Sequence, residues 1–274
     1  MIDYNDILFF DTETTGVPPK GADWSVDYKE FPQIAEIAWC FGRKTESHII
    51  RPDGWSIPEA ATEIHGISTA YAKERGDALL DVLMVFLADC KRAKLIVGHN
   101  VYFDTSIIKA NILHYLGEHF YQTYEVNEAL DKSKRIDTMR ASMKWVDART
   151  SSGRLKFPTL LEMYRRCFLK DFEAHCALND VQALKECLPV LVSEGVVELK
   201  LKDYSEHAKL YPERLKVLDK PEEKPQQGED APISPGIGLN SGDNSANKEI
   251  ITPIENRPKN ELSGADELLN LDKF

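Results

Sequence analysis

The stretch ILFFDTETTG, residues 7–16, decides how this chain is read. Four apolar residues, Ile7 to Phe10, run directly into Asp11, Thr12 and Glu13. Side chains alternate faces along a strand, so Asp11 and Glu13 point the same way at the strand's end. Two carboxylates that close raise one another's pKa. A divalent cation between them removes the conflict. Alone, the same triplet also suits a turn or a helix cap, so the metal reading needs partners elsewhere in the chain.

Bulk properties bound those partners. The 274 residues allow one sizeable domain with an extension, or two small ones. Hydrophobic residues make up 42% and charged residues 29%, enough for a packed core. No apolar run reaches membrane-spanning length, and MIDYNDILFF lacks the features expected of a signal peptide. Cys40, Cys90, Cys167, Cys176 and Cys187 are scattered and form no C-x-x-C pair. Reduced thiols and a cytoplasmic location are expected, and a structural zinc site is not.

The net charge of −11 argues against nucleic acid as a partner, but it is unevenly spread. Residues 219–274 hold 12 acidic and 6 basic residues, whereas 132–170 hold 11 basic and 3 acidic. A basic segment inside an acidic chain is a candidate phosphate-binding surface, although a solvated helix face has the same composition.

Strands are expected at 6–10, 33–41 and 46–51, a short buried strand at 94–99 and a fifth at 135–139. Helices are expected at 58–66, with Pro58 opening and Gly66 closing, and at 77–93, 103–117, 159–168 and 177–195. Gly117 reads as a C-cap. Three strands followed by alternating helix and strand predict an α/β domain on a mixed five-stranded sheet flanked by helices. From about residue 219 the chain turns rich in Pro, Gly, Ser and Asn, with no aromatic residue before Phe274. Such a tail reads as disordered.

Two further acids are placed like Asp11 and Glu13. Asp104 in VGHNVYFD follows a strand and starts a helix; Asp180 in HCALND lies near the start of the last long helix, five residues after His175. Each alone has a plain structural reading. As a set, FFDTETTG, VGHNVYFD and HCALND resemble, in order, the three motifs of the DEDDh family of 3′–5′ exonucleases, whose fold is ribonuclease H-like. IHGIS (64–68) resembles a substrate-side loop of the proofreading epsilon subunits of bacterial DNA polymerase III within that family, and KFPTLLEMYRRCF (156–168) resembles the segment before the third motif in its bacterial members. The resemblance spans roughly residues 5–195, with one small departure, Cys176 after the histidine.

The resemblance implies that Asp11, Glu13, Asp104 and Asp180 bind two divalent cations and that His175 is the general base. It implies that Thr14, Thr15 and Gly16 lie against the terminal nucleotide and that Ile64, His65 and Phe103 flank the bases. Two hard cations about 4 Å apart suit phosphodiester hydrolysis. Four carboxylates without Cys or His suit Mg²⁺, with Mn²⁺ as substitute, rather than Zn²⁺. An imidazole is a sensible base because it can titrate near neutral pH. The expected activity is 3′–5′ hydrolysis of single-stranded or frayed DNA in proofreading or repair, releasing nucleoside 5′-monophosphates. Trimming of RNA 3′ ends is the alternative, since sugar discrimination rests on few contacts, and a non-catalytic replication tether is a second.

This gives an exonuclease domain at 1–200, a helical extension at 201–218, a disordered linker at 219–262 and a docking peptide at 263–274. Leu268, Leu269, Leu271 and Phe274 are the tail's densest apolar group. LLNLDKF loosely resembles peptides that bacterial sliding clamps bind, without their leading Gln, so a polymerase or sliding clamp is the expected partner.

Overall fold

The computed structural model describes residues 1–202. The linker and docking-peptide expectations, and nearly all of the helical extension, lie outside the described residues. A central strand β1 (Ile7–Thr14) pairs antiparallel with β2 (Ile34–Phe41) and parallel with β4 (Leu95–Gly98). β3 (Lys44–Ile49) extends the sheet beyond β2, and β5 (Arg135–Asp137) runs parallel beyond β4, giving the order β3-β2-β1-β4-β5. This is the mixed five-stranded sheet expected from the sequence.

Both faces of the sheet are covered, which is why Ile7–Phe10 is a continuous apolar run. Leu8 and Phe10 pack on one face with α3 (Leu79–Arg92) and α4 (Val101–Asn111). Ile7 and Phe9 pack on the other with α8 (Leu160–Phe168) and α9 (Ala177–Ser193). Between β3 and α3 lie α1 (Glu59–His65), closed by Gly66 in the left-handed region, and the unanticipated α2 (Thr69–Arg75). Gly117 is the C-cap expected of the helix after β4, its N–H donating to Ile112 O, although the last turn before it is π-helical. α4 passes into a π-helical turn at Ile112–Leu116, and Gly117, at φ 78°, opens α5 (Gly117–Thr123), which precedes the short α6 (Val126–Ala129). A further helix, α7 (Thr138–Val146), follows β5 directly because Asp137 caps it, accepting from the Met139 and Arg140 N–H groups.

Two contacts tie the ends of this fold together. Ile2 bridges in parallel to Leu201, with Ile2 N donating to Lys200 O and Lys202 N to Ile2 O at 2.8 and 2.7 Å. Pro189 lies inside α9 and has no N–H, so the Lys185 carbonyl loses its helical donor. The Tyr4 hydroxyl donates to that carbonyl instead. Tyr4→Phe keeps the ring packed on Phe9 but orphans the carbonyl. It should destabilise the protein by about 1–3 kcal/mol in denaturant unfolding. An unchanged midpoint would mean that the carbonyl finds another partner.

Candidate active site

β1, β4 and β5 are parallel, so their C-terminal ends share one rim of the sheet, where open α/β sheets bind ligands. Asp11 and Glu13 project from β1 on the same face as Phe9, towards α9. A register shift between Glu13 and Thr14 breaks the pairing with β2 just beyond them. Asp180 sits in the first turn of α9. One carboxylate oxygen from each of Asp11, Glu13 and Asp180 lies within 4.8 Å of the others, a group able to hold a metal ion. The Asp180 Oδ1 is buried with no hydrogen-bond partner. A buried, unsatisfied oxygen on a carboxyl grouped with two others fits a cation.

Asp104 approaches from the opposite face. It lies in the first turn of α4, buried, and accepts a 2.7 Å hydrogen bond from the Thr12 hydroxyl, the β1 side chain that points away from Asp11 and Glu13. It stands outside the tight trio yet acts on it electrostatically. Burial pushes Asp11 well above the usual carboxylate range, and the charges of Asp104, Asp180, Glu13 and Glu36 push it further. Burial likewise pushes Asp104 and Asp180 up to about 7; the Thr12 hydroxyl opposes the rise in Asp104, and the His175 backbone N–H opposes it in Asp180.

His175 is exposed on the loop entering α9, at φ 66°. Histidine tolerates this left-handed region better than most side chains. The His175 backbone N–H lies near enough to Asp180 to favour the charged carboxylate. Of the other expected residues, Thr14 donates to Gly16 O at 2.6 Å, and the Thr15 hydroxyl accepts from Gln33 N at 2.9 Å. Ile64 is 58% exposed. His65 is buried; its Nδ1 accepts from Ile67 N, and its Nε2 faces the Thr14 carbonyl without reaching hydrogen-bond geometry. Phe103 is half-buried against the core packed around α4.

Glu36 was missed in the sequence. It is fully buried in β2 opposite Glu13. One of its oxygens accepts from the Ser47 hydroxyl at 2.8 Å, the other from Ala177 N at 3.3 Å. Cys176, the N-cap of α9, makes no side-chain cap. Glu36 supplies it from the sheet, seating the helix that carries Asp180. A single acid inside the apolar run IAEIAWC was the available signal.

The basic segment is less free than its composition suggests. Lys156 contacts both Glu162 oxygens at 2.7 and 2.9 Å, Arg165 pairs with Asp171, and Arg166 lies over Trp145.

A family model described as exonuclease (RNase T) matches residues 8–188. The chain belongs to this exonuclease family. Its motifs are of the DEDDh 3′–5′ type. E. coli exonuclease I in complex with a dT13 oligonucleotide has the same fold, with a TM-score of 0.53 at 19% identity over 68% of this chain and 41% of that one. Its complex with dA16 gives 0.51 at 20% identity, over 77% and 44%. A DNA polymerase III subunit epsilon-like protein of Rhodobacter capsulatus is 32% identical over 123 residues, 43% of this chain. The matched stretch spans only 16% of that relative's length.

The raised carboxyls give this exonuclease a testable pH dependence without metal. A carboxyl with a folded pKa above its unfolded one binds more protons when folded. Its stabilising contribution is complete below the ordinary carboxylate range and is lost as pH rises through about 7. In EDTA the melting temperature should therefore fall between about pH 5 and about pH 8. Added Mg²⁺ should restore it, and Asp180→Asn should flatten the slope. A melting temperature that climbs with pH in EDTA would contradict this electrostatic picture.

Proposed function

We propose that the chain is a Mg²⁺-dependent 3′–5′ exonuclease acting on single-stranded or frayed DNA, with Mn²⁺ as a substitute ion. The observation that carries the reading is the trio Asp11, Glu13 and Asp180 with the orphaned Asp180 oxygen, beside exposed His175. Asp11, Glu13 and Asp180, with Asp104 alongside, would hold two cations. When bound, these lower the charge of the phosphodiester and favour both a deprotonated water and the departing 3′-oxygen.

The chain's own residues do the rest. His175 accepts the proton of the attacking water as its oxygen bonds to phosphorus. The bond from phosphorus to the 3′-oxygen of the preceding nucleotide breaks, that oxygen takes a proton from solvent, and a nucleoside 5′-monophosphate leaves. Thr14, Thr15 and Gly16 border the terminal nucleotide, and Ile64, His65 and Phe103 line the place of its base. Exposed Ile64 is the best presented of these, while Phe103 contributes one edge from the core.

DNA is favoured over RNA by the fold shared with exonuclease I, whose structures hold dT13 and dA16, and by the epsilon-like relative. That relative also favours a replication or repair role with a polymerase or sliding clamp as partner. All five cysteines are buried free thiols, in keeping with a cytoplasmic site of action. Among the described residues no helix is long and apolar enough to cross a membrane.

The test is digestion of matched 5′-labelled DNA and RNA single strands. Stepwise shortening from the 3′ end is expected in Mg²⁺ and none in EDTA, with DNA cut faster. Faster cutting of RNA would make the chain an exoribonuclease. No cutting of either would leave the tether.

A further inference from the structure

Along the rim from the carboxylates, Asp104 follows β4 and Asp137 ends β5. Arg140, one turn into α7, pairs with Asp137 at 3.3 Å. Its guanidinium then lies between two aromatic rings, 5.5 Å from the centre of Tyr102 and 5.4 Å from that of Phe157. Arg135 lies 5.5 Å from the same Tyr102 ring. Tyr102 is 48% exposed and Phe157 45% exposed. Two half-exposed rings interleaved with guanidinium groups are unusual on a chain of net charge −11.

The patch is held rigidly. Burial lowers the pKa of His99; its Nε2 donates to Pro158 O at 2.9 Å, and its Nδ1 lies 3.0 Å from the Thr138 hydroxyl, which also reaches Gly98 O at 3.1 Å. This clamps the residue after Phe157 onto the end of β4. A capping box at Thr159–Glu162, with Lys156 on Glu162, fixes the same segment from the other side. Arg135 is anchored by Leu130 O and by the Thr105 hydroxyl at 2.9 Å. Pre-set aromatic side chains lose little entropy when a ligand stacks on them.

We propose that Tyr102, Arg140 and Phe157, with Arg135, form a stacking platform for the single strand upstream of the scissile nucleotide. The position supports this occupant. β1 and β5 are two strand spacings apart, about 10 Å, so a strand with its 3′ end at Asp11 and Asp180 that runs along the rim towards β5 meets the platform within its next few nucleotides. The chemistry also matches, because every base has a face to stack on an aromatic ring and every phosphate a charge for a guanidinium. The platform binds without regard to base identity, and it retains the strand between cuts.

The inference rests on the nuclease reading, so the test separates the two. Tyr102→Leu/Phe157→Leu keeps apolar bulk and removes both rings. Binding of a dT oligonucleotide in EDTA, read by fluorescence anisotropy, should weaken by about tenfold for each base that no longer stacks on a ring. An oligonucleotide abasic at the second to fourth positions from its 3′ end should bind the unaltered protein correspondingly less well, and the double variant should add no further loss. Hydrolysis of the p-nitrophenyl ester of thymidine 5′-monophosphate in Mg²⁺, which has no upstream nucleotide, should be unchanged in the double variant and report an intact fold. If the ester is cut normally but strand binding is unaltered, the platform is not a nucleic-acid site and serves another partner. If the unaltered protein cuts neither ester nor strand, the nuclease reading fails and the platform proposal with it.

Discussion

Asp180→Asn removes strand hydrolysis and leaves the protein folded: in Mg²⁺ the rate of shortening of a labelled strand falls by about three decades or more. The substitution changes few atoms. Asparagine still fills the pocket at the start of α9, and its amide oxygen can still accept from the His175 N–H. What disappears is a carboxylate beside Asp11 and Glu13, one of whose oxygens is buried without a hydrogen-bond partner. The same change relieves repulsion, so without metal the variant should melt no lower than the parent at neutral pH, and its gain on adding Mg²⁺ should shrink. Lost activity with retained melting identifies a ligand rather than a structural residue. A variant within tenfold of the parental rate would remove Asp180 from the metal site.

His175→Ala should cost about two to four decades of rate near neutral pH. The loss should narrow towards high pH, where hydroxide is available without a base to remove the proton of water. Alanine also strains the left-handed backbone at φ 66°. His175→Asn, which suits that backbone, therefore separates loss of the base from distortion of the turn. If asparagine restores the rate, the imidazole is not the base and the loop geometry is what matters.

The same residues show what could be read from the sequence. The pairing of Asp11 with Glu13 follows from strand alternation, and β1 carries it out. The mixed sheet was legible because Ile7–Phe10 and Leu95–Gly98 are apolar runs short enough to be strands buried on both faces. Thr12 as the partner of Asp104 was not, since it depends on α4 meeting the far face of β1. Nor was the duty of Glu36, whose two donors come from β3 and α9. The basic segment was legible only in part: composition counts charges, and only the fold shows that Lys156 and Arg165 are matched by Glu162 and Asp171 while Arg135 and Arg140 lie against the Tyr102 ring. α7 was missed because Asp137 serves both as the end of β5 and as the helix cap.

Joining Ile2 to Leu201, and Tyr4 to α9, sets a timetable for the nascent chain. β1 finds its sheet neighbours β2 and β4 by residue 98, but the helix that covers its Phe9 face and brings Asp180 comes only at Ala177–Ser193. Contacts of such high sequence separation form late and slow the search for the native state. A partly synthesised chain ending before Ala177 presents Asp11 and Glu13 without Asp180, so on the proposed metal site it would have no catalytic centre. Activity would then switch on only with the whole domain, and removing Ile2 and Tyr4 would loosen α9 and the segment after it before it disturbed anything local.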